Sequence, residues 1–451
     1  MFKRSIADIQ SPAFLAATGL LAIATLEHKK YKVILPKTTC KRFKLGTFDK
    51  NIAYVWFSLL QVFENTRNEP DFMNYQTMRD SLEAALEKLL VFAGTPVCGA
   101  EPYIRGGEGA WLCEEKTHID FSEFKSKMSD ELLPGSFCFG AKVDVILKEE
   151  DAPVLSAKIN RFQCGSVALV AMFHHYVGDG SSLSTFMDLW GSLARNVPTN
   201  PSIVDSRLSL VELPETPGFV RKERPPTKIF STCSDKTLCR LSIPILNLEK
   251  LQSDFTSEGY VSTDDIFTAA VWRAKARTCP LMENTCLVRA VNLRSLVTPP
   301  QPPLAVGNFA EGLISDPISL SQMLDMSLQQ TSSLLRRNLE AFNKDYVESL
   351  QAFYHHQSIP EGMLSNFNPS CDFVCSSHAR FYTATDFHNS PAIFSSASAT
   401  LDSTMFISPP YQGNYLGYLY LDTAQADSLL CDPGLKEMGT CIRKVPRSSL
   451  E

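Results

Sequence analysis

Apolar residues recur along the chain in two periods. Between Gln76 and Phe92, Met78, Leu82, Ala85, Leu86, Leu89 and Leu90 fall three and four apart, which predicts an amphipathic helix stopped by Gly94 and Pro96. Leu320 to Phe342 carries a second helical pattern. Tyr31 to Pro36 reads as a short strand. Val154–Phe162 and Val167–Phe173 are apolar and rich in β-formers, and only Gln163-Cys164-Gly165-Ser166 separates them, as in a hairpin. His174-His175-Tyr176-Val177-Gly178-Asp179-Gly180 follows at once, with two glycines that allow a tight turn. Ser181 or Ser182 can then cap a helix with Leu183, Phe186, Met187, Trp190 and Leu193 on one face.

The pattern continues past a break. Pro214 to Lys228 is proline-rich and charged, so it predicts an exposed crossover between two halves. Beyond it come a strand at Leu241–Ile245 and a helix at Leu248–Phe255. Another helix opens at Ser262, with Asp265 as capping-box partner and Ile266, Ala269, Ala270 and Trp272 behind it. Val288–Val291, Met405–Ser408 and Tyr415–Leu421 read as strands. No repeat of fixed period occurs, and both halves mix strands with helices, an α/β arrangement.

The length, 451 residues, implies more than one domain or one large one. Lys+Arg number 43 and Asp+Glu 49, a net charge of −6; no broad basic face is on offer, which argues against a nucleic-acid partner. The 13 cysteines are odd in number and scattered, with no C-x-x-C pair. That reads as reduced thiols in a cytoplasmic protein and speaks against structural zinc. Residues 1–30 stand apart as an extension. Their basic start (Met1-Phe2-Lys3-Arg4) and the apolar run Ala13–Leu26 match a signal-peptide core in length but are short for a membrane span. Asp8 and the charged exit at Glu27 favour a short buried or capping helix over membrane contact.

Walker, Rossmann, zincin and G-x-S-x-G motifs are all absent. What remains is the histidine pair with Asp179 and Gly180. A bare His-x-x-x-Asp is a weak signal in a chain with 8 His, but this one lies between an apolar strand and an amphipathic helix. Side chains alternate along a strand, so only one of His174 and His175 can enter a site. A neutral imidazole there suits proton abstraction near neutral pH.

Asn160–Gly165, His174–Leu183 and Phe186–Arg195 together resemble the central block of the BAHD acyltransferases, which are CoA-dependent enzymes of plant and fungal specialised metabolism. Val261–Arg277 is similar to the fungal trichothecene 3-O-acetyltransferase branch, and Ala290–Arg294 and Val306-Gly307-Asn308 follow in the family's order. The resemblance runs from about Tyr31 to the end. It implies two chloramphenicol-acetyltransferase-like α/β domains, residues 31–213 and 229–451, joined by a crossover loop at 214–228, with the active-site channel between them. It implies His175 as general base and Asp179 turned away to pair with Arg294, with Gly180 and Asp386 structural. Ser262, Thr263 and Asn308 would line the CoA side, and Ser377 and His378 the acceptor side. His174 and Cys164 would be packing residues. The implied co-substrate is acyl-CoA, with acetyl-CoA the best guess, the implied acceptor a small-molecule alcohol or amine, and the protein a monomer without metal. Two departures stand out. The family's D-F-G-W-G motif survives only as Asp386-Phe387 before His388-Asn389-Ser390, and Ser376-Ser377-His378 replaces a motif that often ends in Trp. A condensation-type enzyme fed by a carrier protein, or a ligand-binding pseudoenzyme, would share the fold.

Overall fold

The computed structural model describes residues 32–38, 42–52, 56–99, 101–128, 152–220, 236–255, 259–279, 283–356, 367–382, 385–398 and 401–444. The apolar run Ala13–Leu26 and most of the predicted crossover lie outside them. Residues 214–220 are described and hold no regular element.

Two sheets carry the chain. The first has six strands: β1 (Lys32–Ile34), β2 (Trp56–Phe63), β3 (Ala110–Lys116), β4 (Leu155–Arg161), β5 (Val167–His174) and one late strand described below. The predicted hairpin is β4 and β5, antiparallel, with Leu155 opposite Phe173. Every residue of β5 is buried, because the strand is covered on both faces. Val167, Leu169, Ala171 and Phe173 pack with Met78, Leu82, Phe186 and Trp190, from α1 (Tyr75–Lys88) and α2 (Gly180–Ala194). Ala168, Val170 and Met172 point the other way, onto Leu238, Leu416, Tyr418 and Tyr420 of the second sheet. The alternation of one strand thus builds both the core of its own half and the contact between halves.

The second sheet has seven strands: β6 (Thr237–Pro244), β7 (Leu287–Asn292), β8 (Ala310–Ile314), β9 (Phe373–Ser377), β11 (Thr404–Tyr411), β12 (Asn414–Leu421) and β13 (Cys441–Lys444), in the order β8-β7-β9-β11-β12-β6-β13. Its outer face is covered by α3 (Thr263–Ala276), through Ile266, Phe267, Val271 and Trp272. The strand β10 (Phe394–Ser398) leaves this half and completes the first sheet, antiparallel to β2, in the order β1-β3-β4-β5-β2-β10.

Two predicted elements differ. The helical stretch Leu320–Phe342 is two helices, Leu320–Asp325 and Leu328–Glu340; Ser327 interrupts it, capping the second through the Gln330 N–H. Helix α2 is capped by Asp179, with Ser182 as the donor, so the serines lie inside the first turn.

Candidate active site

Strand β5 ends at His174, and a single tight turn, His175–Val177, leads through Gly178 to the Asp179 cap. The turn is close-packed: a Cβ on Gly178 would stand 2.6 Å from the Ser182 hydroxyl, and one on Gly180 3.0 Å from the Phe381 ring and 3.2 Å from the His378 ring. Only glycine fits at Gly178 without displacing the helix start.

The two histidines separate as the alternation requires. His174 is fully buried, its Nδ1 accepting the Tyr176 N–H (3.1 Å) and its ring edge-on to Trp56. Burial pushes its pKa well below the ordinary value, which suits a neutral packing residue. His175 is only part-buried. Its Nδ1 lies 2.9 Å from Asn308 Oδ1, and its ring meets Phe57. Burial lowers its pKa too, against the opposing pull of its own carbonyl, Asp179, Asn308 and Asp49. The imidazole is therefore neutral, and able to accept a proton, at physiological pH.

Asp179 points away from His175 into the second half. Its two oxygens accept from the Arg294 guanidinium, each at 2.9 Å, and Oδ2 also accepts the Phe309 N–H at 3.0 Å. Burial works against its charge, but Arg294 together with the N–H groups of Phe309 and Ser182 outweighs it and holds the carboxyl below its usual range. Arg294, itself buried, also donates to the carbonyls of Ala305 and Gly307, while Ser182 Oγ reaches Gly307 O at 2.7 Å. The turn that carries His175 is thus bolted to the opposite half by a bidentate ion pair with its lone pairs and protons satisfied.

The remaining predicted residues divide. Asn308 meets His175: it is buried, and both ends of its carboxamide are engaged by His175 and Asp49. Ser262 and Thr263 begin α3; the Ser262 hydroxyl is held in the capping box with Asp265, which Arg289 and Arg336 also clasp. His378 is buried against Gly180, with its Nε2 3.1 Å from Ser376 Oγ and its Nδ1 without a hydrogen-bond partner among the described residues. Burial, then the neighbouring His175, pushes its pKa down to about 4. Ser377 ends β9, half-buried. Asp386 sits at the far end of α2, where it pairs with Arg195 (3.1 Å) and its carbonyl packs on Gly191. Gly191 lies twelve positions along the helix from Asp179, about 18 Å, so Asp386 is remote from the His175 turn. Its Oδ1 accepts the N–H groups of His388 and Ser390, and His388 reaches Glu69, which closes the turn without the family's glycines. Cys164 is exposed instead of packed, because it lies in the turn between β4 and β5 and outside both strands. Among the described residues no cluster of His, Cys, Asp and Glu is arranged to hold a metal, and no helix is long and apolar enough to cross a membrane.

Sequence reasoning missed Asp49. It lies in the non-periodic stretch Leu45–Asn51, is 1% exposed, and accepts the main-chain and side-chain N–H groups of Asn308 at 3.0 and 2.8 Å.

Comparison with known proteins gives a concordant picture. A family profile described as the transferase family matches residues 24–416. Acyltransferase Pun1 of Capsicum frutescens is 26% identical over 373 residues, spanning 78% of this chain and 81% of its own. Deacetylvindoline O-acetyltransferase of Catharanthus roseus is 25% identical over 376 residues, 75% and 79% of the two chains. Among solved structures, F. graminearum TRI101 complexed with ethyl coenzyme A superposes with a TM-score of 0.74 at 16% identity, over 91% of this chain and all of that one. Vinorine synthase superposes at 0.65 and 17% identity, over 93% and 98%.

Proposed function

The chain belongs to the BAHD acyltransferases, and from that premise we propose that it transfers a short acyl group, acetyl foremost, from acyl-CoA to a hydroxyl or amine of a small secondary metabolite. The observation that carries this reading is His175. It is neutral, part-exposed and held by its Nδ1 side at the seam of the two halves, with Nε2 left for chemistry. Its Nε2 takes the proton of the acceptor as that group attacks the thioester carbonyl. The tetrahedral intermediate then collapses, the C–S bond breaks, and the CoA thiolate recovers the proton. General-base assistance of this kind contributes roughly 10²–10⁴-fold, with positioning and oxyanion stabilisation supplying the rest.

The ligands of structural neighbours support the donor and acceptor classes: TRI101 has been crystallised with coenzyme A and T-2 mycotoxin. On the acceptor side we place His378 and Ser377. His378 adjoins the His175 turn and keeps one ring nitrogen unpartnered among the described residues. Ser262 and Thr263 remain our candidates for the CoA side, with Asn308 now assigned to the base. We further propose a cytoplasmic monomer divided at the 214–228 crossover; its ten described cysteines are all free thiols. A condensation domain from a polyketide synthase superposes less well, at a TM-score of 0.54.

The test is a panel of acyl-CoA thioesters against alcohols and amines, read by thiol release and product mass. Acyl transfer from free CoA thioesters is expected, with at least about a hundredfold loss in His175→Ala at an unchanged melting temperature. Transfer only from carrier-protein thioesters, or wild-type rates in His175→Ala, would overturn the reading.

A further inference from the structure

The support behind His175 reaches one residue further than the histidine motif. Asn308 Nδ2 donates to Asp49 Oδ1 (2.8 Å) and to the His175 carbonyl (2.8 Å). A carbonyl can only accept, and Asp49 is surrounded by donors: the N–H of Asn308 on Oδ1 and the N–H of Gly46 on Oδ2 (2.7 Å). Burial raises the Asp49 pKa, but Arg207 and the N–H donors of Gly46 and Asn308 pull the other way, and with N–H donors on both oxygens it is placed as an acceptor; the end of the Asn308 carboxamide that faces these two groups is then NH₂. Its other end, an oxygen, faces His175 Nδ1 at 2.9 Å. An oxygen there requires a proton on Nδ1. A neutral imidazole carrying its proton on Nδ1 has a bare lone pair on Nε2.

We propose that Asp49 is a positioning residue for acyl transfer: through the Asn308 carboxamide it locks His175 as the Nδ1–H tautomer and leaves Nε2 free for the acceptor proton. The link rests on His175 being the base, but its structural core, the tautomer, does not. Asp49 is anchored in turn. Buried Arg207 lies near it, binding the Val177 carbonyl at 3.1 Å and Asp205 at 2.8 Å. Asp49 therefore holds the histidine turn through contacts separate from those of the Asp179–Arg294 pair.

Selective ¹⁵N-histidine labelling, with His175→Gln to assign the resonance, should show the wild-type His175 protonated at Nδ1. Asp49→Ala should bring an Nε2–H population and lower kcat by roughly 10–100-fold, as loss of a group that orients an imidazole does elsewhere. The KM values for acyl-CoA and acceptor should change less than about twofold, since no ground-state contact is removed. Asp49→Asn keeps an oxygen for the Asn308 NH₂, at the cost of an NH₂ facing the Gly46 N–H, and should restore part of the plateau rate. It removes a negative charge near His175, so the acidic limb of the kcat profile should move to lower pH. The other charged or titratable groups around the ring are His174 and Asp179 on its own loop, Arg294 behind Asp179, Arg207 behind Asp49, and His378; none is altered in this variant. An Nε2–H tautomer in the wild type would overturn the proposal whatever the activity, as would a folded Asp49→Ala with wild-type kcat. Should Asp49→Ala not fold, Asn308→Ala takes its place with the same expectations. Activity in His175→Ala would instead overturn the assignment of the base, while the resonance still decides the tautomer.

Discussion

At the scale of residues, the site separates into His175, the proposed base, and the groups that hold it. His175, Asp179 and Arg294 were legible in the sequence because a strand, a turn and a helix follow one another there without a gap, and because the resemblance supplied the distant arginine. Asp49 was not, since its partner Asn308 lies 259 residues away and no periodic pattern surrounds it. The Asp179–Arg294 pair permits a direct test of how the hold is achieved. Both side chains are almost fully buried. Removing one partner leaves an unpaired charge in the core, so Arg294→Met should cost about 3–5 kcal/mol of stability in denaturant unfolding. The double variant Asp179→Leu with Arg294→Met should recover much of that loss yet stay poorly active, because Leu cannot cap α2 or accept the Phe309 N–H. A double variant as unstable as the single one would show that the pair stabilises by more than mutual neutralisation.

At the scale of elements, local chemistry predicted most starts and fewer stops. The Ser262–Asp265 capping box marks the beginning of α3 as the spacing suggested. The end of the first C-terminal helix at Asp325 is invisible to periodicity, because the apolar stripe runs on while Ser327 starts a new helix. At α2, a helix N-terminus, a salt bridge and the turn that carries His175 share a few residues, so its cap could not be chosen from Ser181, Ser182 and Asp179 by propensity alone. Gly178 sets the geometry of that junction. In Gly178→Ala the new methyl meets Ser182, whose hydroxyl also binds Gly307 O. Either α2 shifts or that link to the second half breaks. We expect a stability loss of about 1–3 kcal/mol, the range for overpacking a tight core, together with lowered kcat; thermal unfolding and steady-state rates measure the two. Unchanged values for both would mean the junction is loose.

At the scale of the whole molecule, the two halves are tied more tightly than a crossover loop implies. The sequence suggested a clean division near residue 220, since composition changes there. It could not show that β10, from deep in the second half, returns to complete the first sheet beside β2. Such a crossing has no local signature: β10 is Phe394 followed by four small residues, and its partner is more than three hundred positions earlier. The contact between sheets reinforces it, because Ala168, Val170 and Met172 of β5 bury against Leu238, Leu416, Tyr418 and Tyr420. A fragment ending at residue 220 would therefore expose the edge of β2, with its apolar run Trp56-Phe57 and Leu59-Leu60, and one whole apolar face of β5. An unpaired edge and an uncovered face both favour aggregation over folding. We expect residues 1–220 expressed alone to be insoluble or to lack a cooperative melting transition. Co-expression with residues 221–451 should restore a soluble complex, since β10 and β12 are then available to cover those surfaces. A monomeric, cooperatively melting 1–220 fragment would show that the first half is an autonomous domain and that the crossing strand is an accessory.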